Sequence, residues 1–445
     1  MTDATPHSSL YAAHQARVMA AFDSAMDAAG ADTAVVFSGA LRMAFLDDHG
    51  YPFAVNPHFA YWLPLVDVTD SYVIYRVGEK PILTYCQPDD YWHALPAAPD
   101  PYWAEHFDVR VVRTADAAKA HLPSNSKAPI FIGEPLEPAH TLGIERINPS
   151  AALHRLDTAR TRKSEYELER MRTASRMGAT AHNAAAARFA AAPASEYELH
   201  ARYLEAIECV DSDLPYHSIV ALNENGAILH YQRRDRTVPE VGRSFLIDAG
   251  AASAGYASDI TRTYCNESGL FNDLITSMDT LQQELCANVR ADVDYRELHL
   301  LMHRLLATLL VEHRIATGSA EALIDAGITR VFLPHGLGHY LGLQVHDVGG
   351  HLADADGTPT ERPSDDPNLR LTRSLSADEV LTIEPGLYFI DMLLAPLRSS
   401  AHKDLLDWQA IDALKPFGGI RIEDNVRVLD GGQENLTRDA FKAVA

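Results

Sequence analysis

Apolar residues recur at helical spacing through an alanine-rich stretch over residues 8–29. The stretch stops at Gly30, which predicts a helix ended by a glycine cap. Short β-branched and aromatic runs follow at 33–38, 72–76, 82–85, 109–112 and 130–132, each of strand length. The turn Gly78-Glu-Lys-Pro81 between the second and third reads as a hairpin. This part of the chain predicts a mixed α/β domain of roughly 150 residues. Ser164 with Glu167 and Ser195 with Glu198 form two capping boxes, each opening a helix, the first running to about Ala192 before Pro193. The polar stretch near 155–163 predicts the boundary, giving domains 1–158 and 159–445. Beyond it, strands are expected at 218–222, 244–248 and 256–264, helices at 271–290 and 296–313, and strands again at 382–390 and 419–428. Helices and acidic strands thus occur twice, which suggests a weak internal duplication. Residues 354–368, rich in Asp, Pro and Thr, and residues 396–410 read as loops.

At 445 residues the chain is too long for one ordinary core, which agrees with two domains. Its 47% hydrophobic and 22% charged residues are those of a globular protein, and no apolar run is long enough for a bilayer. The first residues, Met1–His7, show no basic segment leading into an apolar one. The four cysteines are scattered without a paired spacing, as expected of reduced thiols. A cytoplasmic location follows as an expectation. The formal charge of −23 argues against nucleic acid as a partner and is otherwise a solubilising surface.

Candidate chemistry lies in five short segments, four of them marked by glycine. They are Leu246-Ile-Asp248-Ala-Gly250, Ser258-Asp259-Ile-Thr-Arg262, His335-Gly-Leu-Gly-His339, Thr382-Ile-Glu384-Pro-Gly386 and Gly419-Ile-Arg-Ile-Glu423. The run between Asp248 and Asp259 contains Gly250 and Gly255 and can turn as a hairpin, bringing both carboxylates to one place. Four carboxylates converging inside a fold repel one another unless cations lie between them. Two divalent metals fit that need, and one imidazole among oxygen ligands shifts the preference towards Mn, Co, Fe or Zn over Ca. Taken singly, each residue has a plainer reading: an Asp beside Gly is usually a turn residue, and a lone His a satisfied core or surface group. The set of five in apolar or small-residue surroundings, where an unpaired charge is costly, favours a two-metal hydrolase.

These segments resemble those of the pita-bread metallopeptidases, and most closely bacterial prolidases (Xaa-Pro dipeptidases) with their organophosphorus acid anhydrolase branch. Further matches are Phe45-Leu-Asp-Asp48, Trp62-Leu-Pro64, Ala221-Leu-Asn-Glu-Asn225, Gly342-Leu-Gln-Val-His-Asp-Val-Gly-Gly350 and Lys415-Pro-Phe-Gly-Gly419, so the resemblance covers nearly the whole chain. It implies an α/β (α+β) protein with an N-terminal capping domain and a duplicated αββ pita-bread catalytic domain. It implies two divalent ions per subunit, manganese first with Co, Zn or Fe as alternatives. Asp259 and Glu423 would bridge both ions, Asp248 would bind one, and His339 and Glu384 the other. A bridging hydroxide would attack the scissile carbonyl, with Glu384 shuttling the proton.

The resemblance extends to substrate contacts. His230, His335 and His346 resemble substrate-facing histidines; the alternative is that they hold ligands in place. Arg370 resembles the arginine that takes the carboxylate of a C-terminal proline, a fit its guanidinium fork explains; the alternative is a salt bridge to Asp365, Asp366 or Asp378. Tyr216 resembles a pocket tyrosine, with core packing as the alternative. Asp48 and Trp92 match residues that reach the neighbouring subunit's site in a homodimer; otherwise they are a loop acid and a half-buried aromatic. The implied substrate is a dipeptide ending in proline, with side activity on organophosphorus esters or fluorides. Aminopeptidase P-like cleavage of longer peptides and a non-catalytic binding role are the competing readings.

Overall fold

The computed structural model describes residues 5–445, and its contacts divide them into two units. Residues 1–4, on which the reading of the chain's start partly rests, lie outside the described residues.

The first unit comprises Met1–Arg170 with two short later segments. Its five-stranded sheet runs in the order Asp108–Val112, Ile82–Cys86, Tyr72–Arg76, Thr33–Phe37, Pro129–Ile132. The two outer pairings are parallel and the two inner ones antiparallel. The hairpin at Gly78 forms with φ +79, a conformation that favours glycine. Strand Thr33–Phe37 is buried throughout because helices and loops cover both faces, so it reads as an unbroken apolar run. The helix Thr5–Ala29 packs along Ser150–Thr161.

The second unit holds most of the remaining chain. Two three-stranded antiparallel sheets succeed each other: Ile219–Leu222, Ser244–Asp248 and Thr261–Cys265, then Val380–Ile383, Asp424–Leu429 and Gly432–Asn435. Strand Gly386–Tyr388 pairs separately with Gly419–Arg421. On helix Tyr295–Glu312, Leu298, Met302, Leu306 and Leu310 recur every fourth residue and are buried, with Ile383, Leu387, Val426 and Val428 of the strands in the same core. Each such leucine contributes roughly 1.5–3 kcal/mol by leaving water. Both capping boxes form: Ser164 N and Ser195 N donate to Glu167 and Glu198 at 2.8 Å, with the return bonds at 3.4 and 3.2 Å.

Three strands expected as continuous are interrupted, and each interruption falls at a carboxylate. Asp259 lies between Tyr256–Ala257 and Thr261–Cys265, Glu384 between Val380–Ile383 and Gly386–Tyr388, and Glu423 between Gly419–Arg421 and Asp424–Leu429. At the last two breaks the chain changes partner, because Val380–Ile383 pairs with the Asp424 strand whereas Gly386–Tyr388 pairs with the Gly419 strand. A side chain at such a junction is released from the strict two-sided alternation of a ladder. The expected loop over 396–410 instead contains short 3-10 turns and the start of helix Trp408–Leu414.

Candidate metal centre

Two glycines allow the ligand-bearing segments to meet. A Cβ at Gly250 would lie 2.0 Å from Ser258 O, so only glycine lets the 248–259 hairpin close, with Asp248 opposite Thr261. A Cβ at Gly338 would lie 2.2 Å from Thr382 O. That approach lets Thr382 N donate to His339 O and Glu384 N to Leu337 O, both at 2.9 Å, which places His339 beside Glu384.

The five expected ligands line one cavity of about 460 Å³, together with His230, His335, His346, Arg362, Arg370 and Arg421. Donor atoms of Asp259, His339 and Glu423 all lie within 4.8 Å of one another. His339 Nε2 faces Asp259 Oδ2 at 3.5 Å and Glu384 Oε1 at 3.6 Å. Its Nδ1 lies 3.0 Å from Tyr340 O, which can only accept, so Nδ1 carries the proton and Nε2 is directed to the carboxylates. Tyr216 OH lies 2.8 Å from Asp248 Oδ1 and 2.6 Å from Asp259 Oδ1 and donates to this pair from outside the cavity lining.

The electrostatics of the cluster suit a cation. Burial, and then the neighbouring carboxylates Asp259 and Asp248, push Glu384 up to about 7 against the pull of His339 and Arg421. Burial and the same crowding hold Glu423 well above the usual carboxylate range. Burial also raises Asp248, whereas hydrogen bonds from His339 and Tyr216 overcome it at Asp259, which is lowered. His339 is raised, because Asp259 and Glu384 outweigh burial. A hard divalent cation would relieve this repulsion, and one imidazole among four carboxylates suits Mn or its neighbours.

Around the ligands lie groups that sequence reasoning did not assign. Arg421 is buried and donates to Asp248 Oδ2 at 2.7 Å, Tyr388 OH at 2.8 Å and Thr261 Oγ1 at 3.2 Å. Thr261 Oγ1 in turn donates to Glu423 Oε2 at 2.7 Å. The signal was present: in Gly419-Ile-Arg421-Ile-Glu423 the strand period puts Arg421 on the face of Glu423. Glu196 is buried and accepts from Leu222 N, Asn225 Nδ2, Tyr231 OH and Asp235 N at 2.7–2.9 Å, fixing the loop that carries His230.

The three expected histidines differ. His335 Nδ1 bonds Gly336 O and Nε2 bonds Tyr388 OH, both at 2.8 Å, so both nitrogens are engaged by the protein. Burial and Arg421 push its pKa down to about 3, which keeps it neutral. His346 is exposed to the cavity with its ring 4.4 Å from that of His339; burial and His339 lower it to about 4. His230 is exposed at the cavity wall. Arg370 pairs with no carboxylate among the described residues: Asp366 is taken by Arg330 and Asp378 by Arg427. Asp48 is exposed on the first unit, and Trp92 is 77% exposed there rather than half-buried, against the ring of Tyr91 at 5.0 Å. Neither lines this cavity.

Two family models match: Xaa-Pro dipeptidase, N-terminal domain, over residues 9–158, and metallopeptidase family M24 over residues 169–430. The chain therefore belongs to metallopeptidase family M24. Within it, relatives named Xaa-Pro dipeptidase are similar along nearly their full length. That of Pseudoalteromonas atlantica is 44% identical over 97% of this chain and 98% of its own. That of Xanthomonas axonopodis pv. citri is 46% identical over 98% of each. Among solved structures, aminopeptidase P from E. coli with the inhibitor Pro-Leu superposes with a TM-score of 0.73 at 21% identity over 98% of each chain. Proline aminopeptidase P II from Yersinia pestis gives 0.72 at 24% over 100% and 99%. These likenesses show the shared pita-bread fold.

Proposed function

We propose that the chain is a dinuclear, metal-dependent Xaa-Pro dipeptidase that releases C-terminal proline. The observation that carries this reading is one cavity holding four carboxylates and an imidazole at one end and the carboxylate-free Arg370 on its wall. Asp259 and Glu423 would hold both ions, Asp248 one, and His339 with Glu384 the other, with manganese as the working metal. Bound there, the ions supply Lewis-acid polarisation of the carbonyl and an acidified water. Arg370 binds the proline carboxylate through its guanidinium fork and so positions the preceding amide. Glu384 takes a proton from the attacking water on a carboxylate oxygen and returns it to the proline nitrogen as the C–N bond breaks. His230 and His346 donate hydrogen bonds to the developing oxyanion. His335, Tyr216 and Arg421 hold the ligands and Tyr388 in place.

The finer parts of the reading are proposed with it: domains 1–158 and 159–445, a cytoplasmic homodimer in which Asp48 and Trp92 approach the partner's site, and weak turnover of organophosphorus esters. Among the described residues no helix is long and apolar enough to cross a membrane, and the four cysteines are unbridged.

The test is hydrolysis of Ala-Pro, Ala-Pro-Gly and Ala-Ala by chelator-treated protein with and without Mn2+. Manganese-dependent cleavage of Ala-Pro alone is expected. Cleavage of the tripeptide would move the reading to an aminopeptidase P-like activity, and no cleavage would overturn it.

A further inference from the structure

The cavity wall carries a second guanidinium besides Arg370. Arg362 lines the same cavity and, like Arg370, pairs with no carboxylate among the described residues. It is nevertheless held: Nε donates to Leu369 O at 3.0 Å, and Nη2 lies 2.7 Å from His351 Nε2. His351 Nδ1 lies 2.9 Å from Thr372 Oγ1, which also meets Thr360 Oγ1 at 2.6 Å. Arginine only donates, so His351 Nε2 must accept and Nδ1 carries the ring proton. Burial, then Arg362 and Arg370, lower His351, which maintains that neutral acceptor. These bonds grip residues 369 and 372, on either side of Arg370. They use two of the five N–H donors of Arg362 and leave three. Both guanidiniums line one cavity and neither is neutralised by an ion pair, so an anionic group entering the cavity meets two unclaimed cationic forks.

We propose that Arg362 is a second carboxylate-recognising, specificity-determining residue, forming with Arg370 a two-guanidinium receptor for the C-terminal carboxylate of the substrate. The proposal rests on the dipeptidase reading above. In this arrangement Arg362 is the fork tethered through Leu369 and His351, and Arg370 the one beside it without such a tether. A substrate whose carboxylate is replaced by an amide forfeits both.

The test compares the wild-type protein with Arg362→Met in the manganese-loaded form. KM and kcat are measured on Ala-Pro and on Ala-Pro amide, and L-proline binding is measured by calorimetry. Loss of one charged hydrogen-bond donor predicts a rise of about tenfold in KM for Ala-Pro and in Kd for L-proline. The value of kcat should stay within about twofold, and the amide should be handled as by the wild type. Equal losses on acid and amide would show a merely structural role and overturn the proposal, as would no change on either. If Arg362→Met melts early, Arg362→Gln, which keeps a donor for Leu369 O but no charge, carries the same expectation. Should the wild type fail to cleave Ala-Pro, the dipeptidase reading falls, and L-proline binding decides alone. Unchanged proline affinity in the variant, or no proline binding by the wild type, would overturn the role of Arg362.

Discussion

A cation entering the proposed centre would have to displace protons from its carboxylates and imidazole. Burial and neighbouring carboxylates hold Glu384 at about 7 in the metal-free chain. At pH 6 this carboxyl is then about nine-tenths protonated, and at pH 8 about one-tenth. Glu423 is also well above its usual range, and His339 is raised, so both add protons that a cation must expel. Each proton lost weakens apparent affinity about tenfold per pH unit on the acid side of its pKa. Glu384 alone should therefore weaken apparent metal affinity about fivefold between pH 7 and pH 6, and the other raised groups add to that fall. The same shift acts on the metal-free fold with opposite sign to an ordinary ion pair. Between the unfolded pKa near 4.3 and the folded value near 7 the native state binds more protons, so stability falls as pH rises, by roughly 3 kcal/mol from Glu384 alone. Titration of Mn2+ into chelated protein, in buffers of differing ionisation enthalpy, counts the protons. At pH 6 about one per chain is expected, with fewer at pH 8, and the metal-free wild type should lose stability relative to Glu384→Gln between pH 6 and pH 8. Heats independent of the buffer at pH 6, or a stability difference from Glu384→Gln that does not change between pH 6 and 8, would refute the crowded-carboxylate argument.

Two further predictions concern ionic partners of the site. Arg421→Met removes the internal cation from Asp248 and leaves buried carboxylate uncompensated, at a cost of about 3–5 kcal/mol. By differential scanning calorimetry the metal-free variant should melt on the order of 10 °C lower, with the gap narrowed by Mn2+; a drop under about 2 °C would contradict the assigned role. Asp366 is held far below the usual carboxylate range, since the adjacent His299 and His303 and the two hydrogen bonds from Arg330 overcome its burial. Its stabilisation is thus present above the unfolded pKa near 3.9 and is lost as pH falls through and below that value. Asp366→Asn should be less stable than the wild type at pH 7, with the difference shrinking below about pH 4; a difference independent of pH would locate the effect in packing.

What the sequence discloses about this site depends on whether a residue's partner is local. The five ligand segments were legible because each sets a carboxylate or imidazole among largely apolar or small residues, where only a shared partner makes it affordable to the fold. The hairpin between Asp248 and Asp259 was legible from Gly250, and the antiparallel register places Asp248 against Thr261. The strand breaks at Glu384 and Glu423 were not, because an alternating pattern gives burial but not a change of neighbour. Between donor and supporting residue the sequence left His335 undecided, since Tyr388, which occupies its Nε2, lies 53 positions away. Arg362 and Asp366 fell in a segment whose composition announces only a loop, and their meaning comes from Leu369, His351 and Arg330. Arg421 is the instructive case: its spacing from Glu423 put it on the ligand face, yet a cation beside proposed metal ligands runs against the expectation of acids alone. The structure gives the reason. Asp248 Oδ2 takes Arg421 and Oδ1 takes Tyr216. A carboxylate with about four lone-pair positions can accept both and still offer one to a metal. The permanent guanidinium therefore keeps Asp248 orientated before any ion arrives, and the centre proposed above to hold two cations is arranged around a third that never leaves.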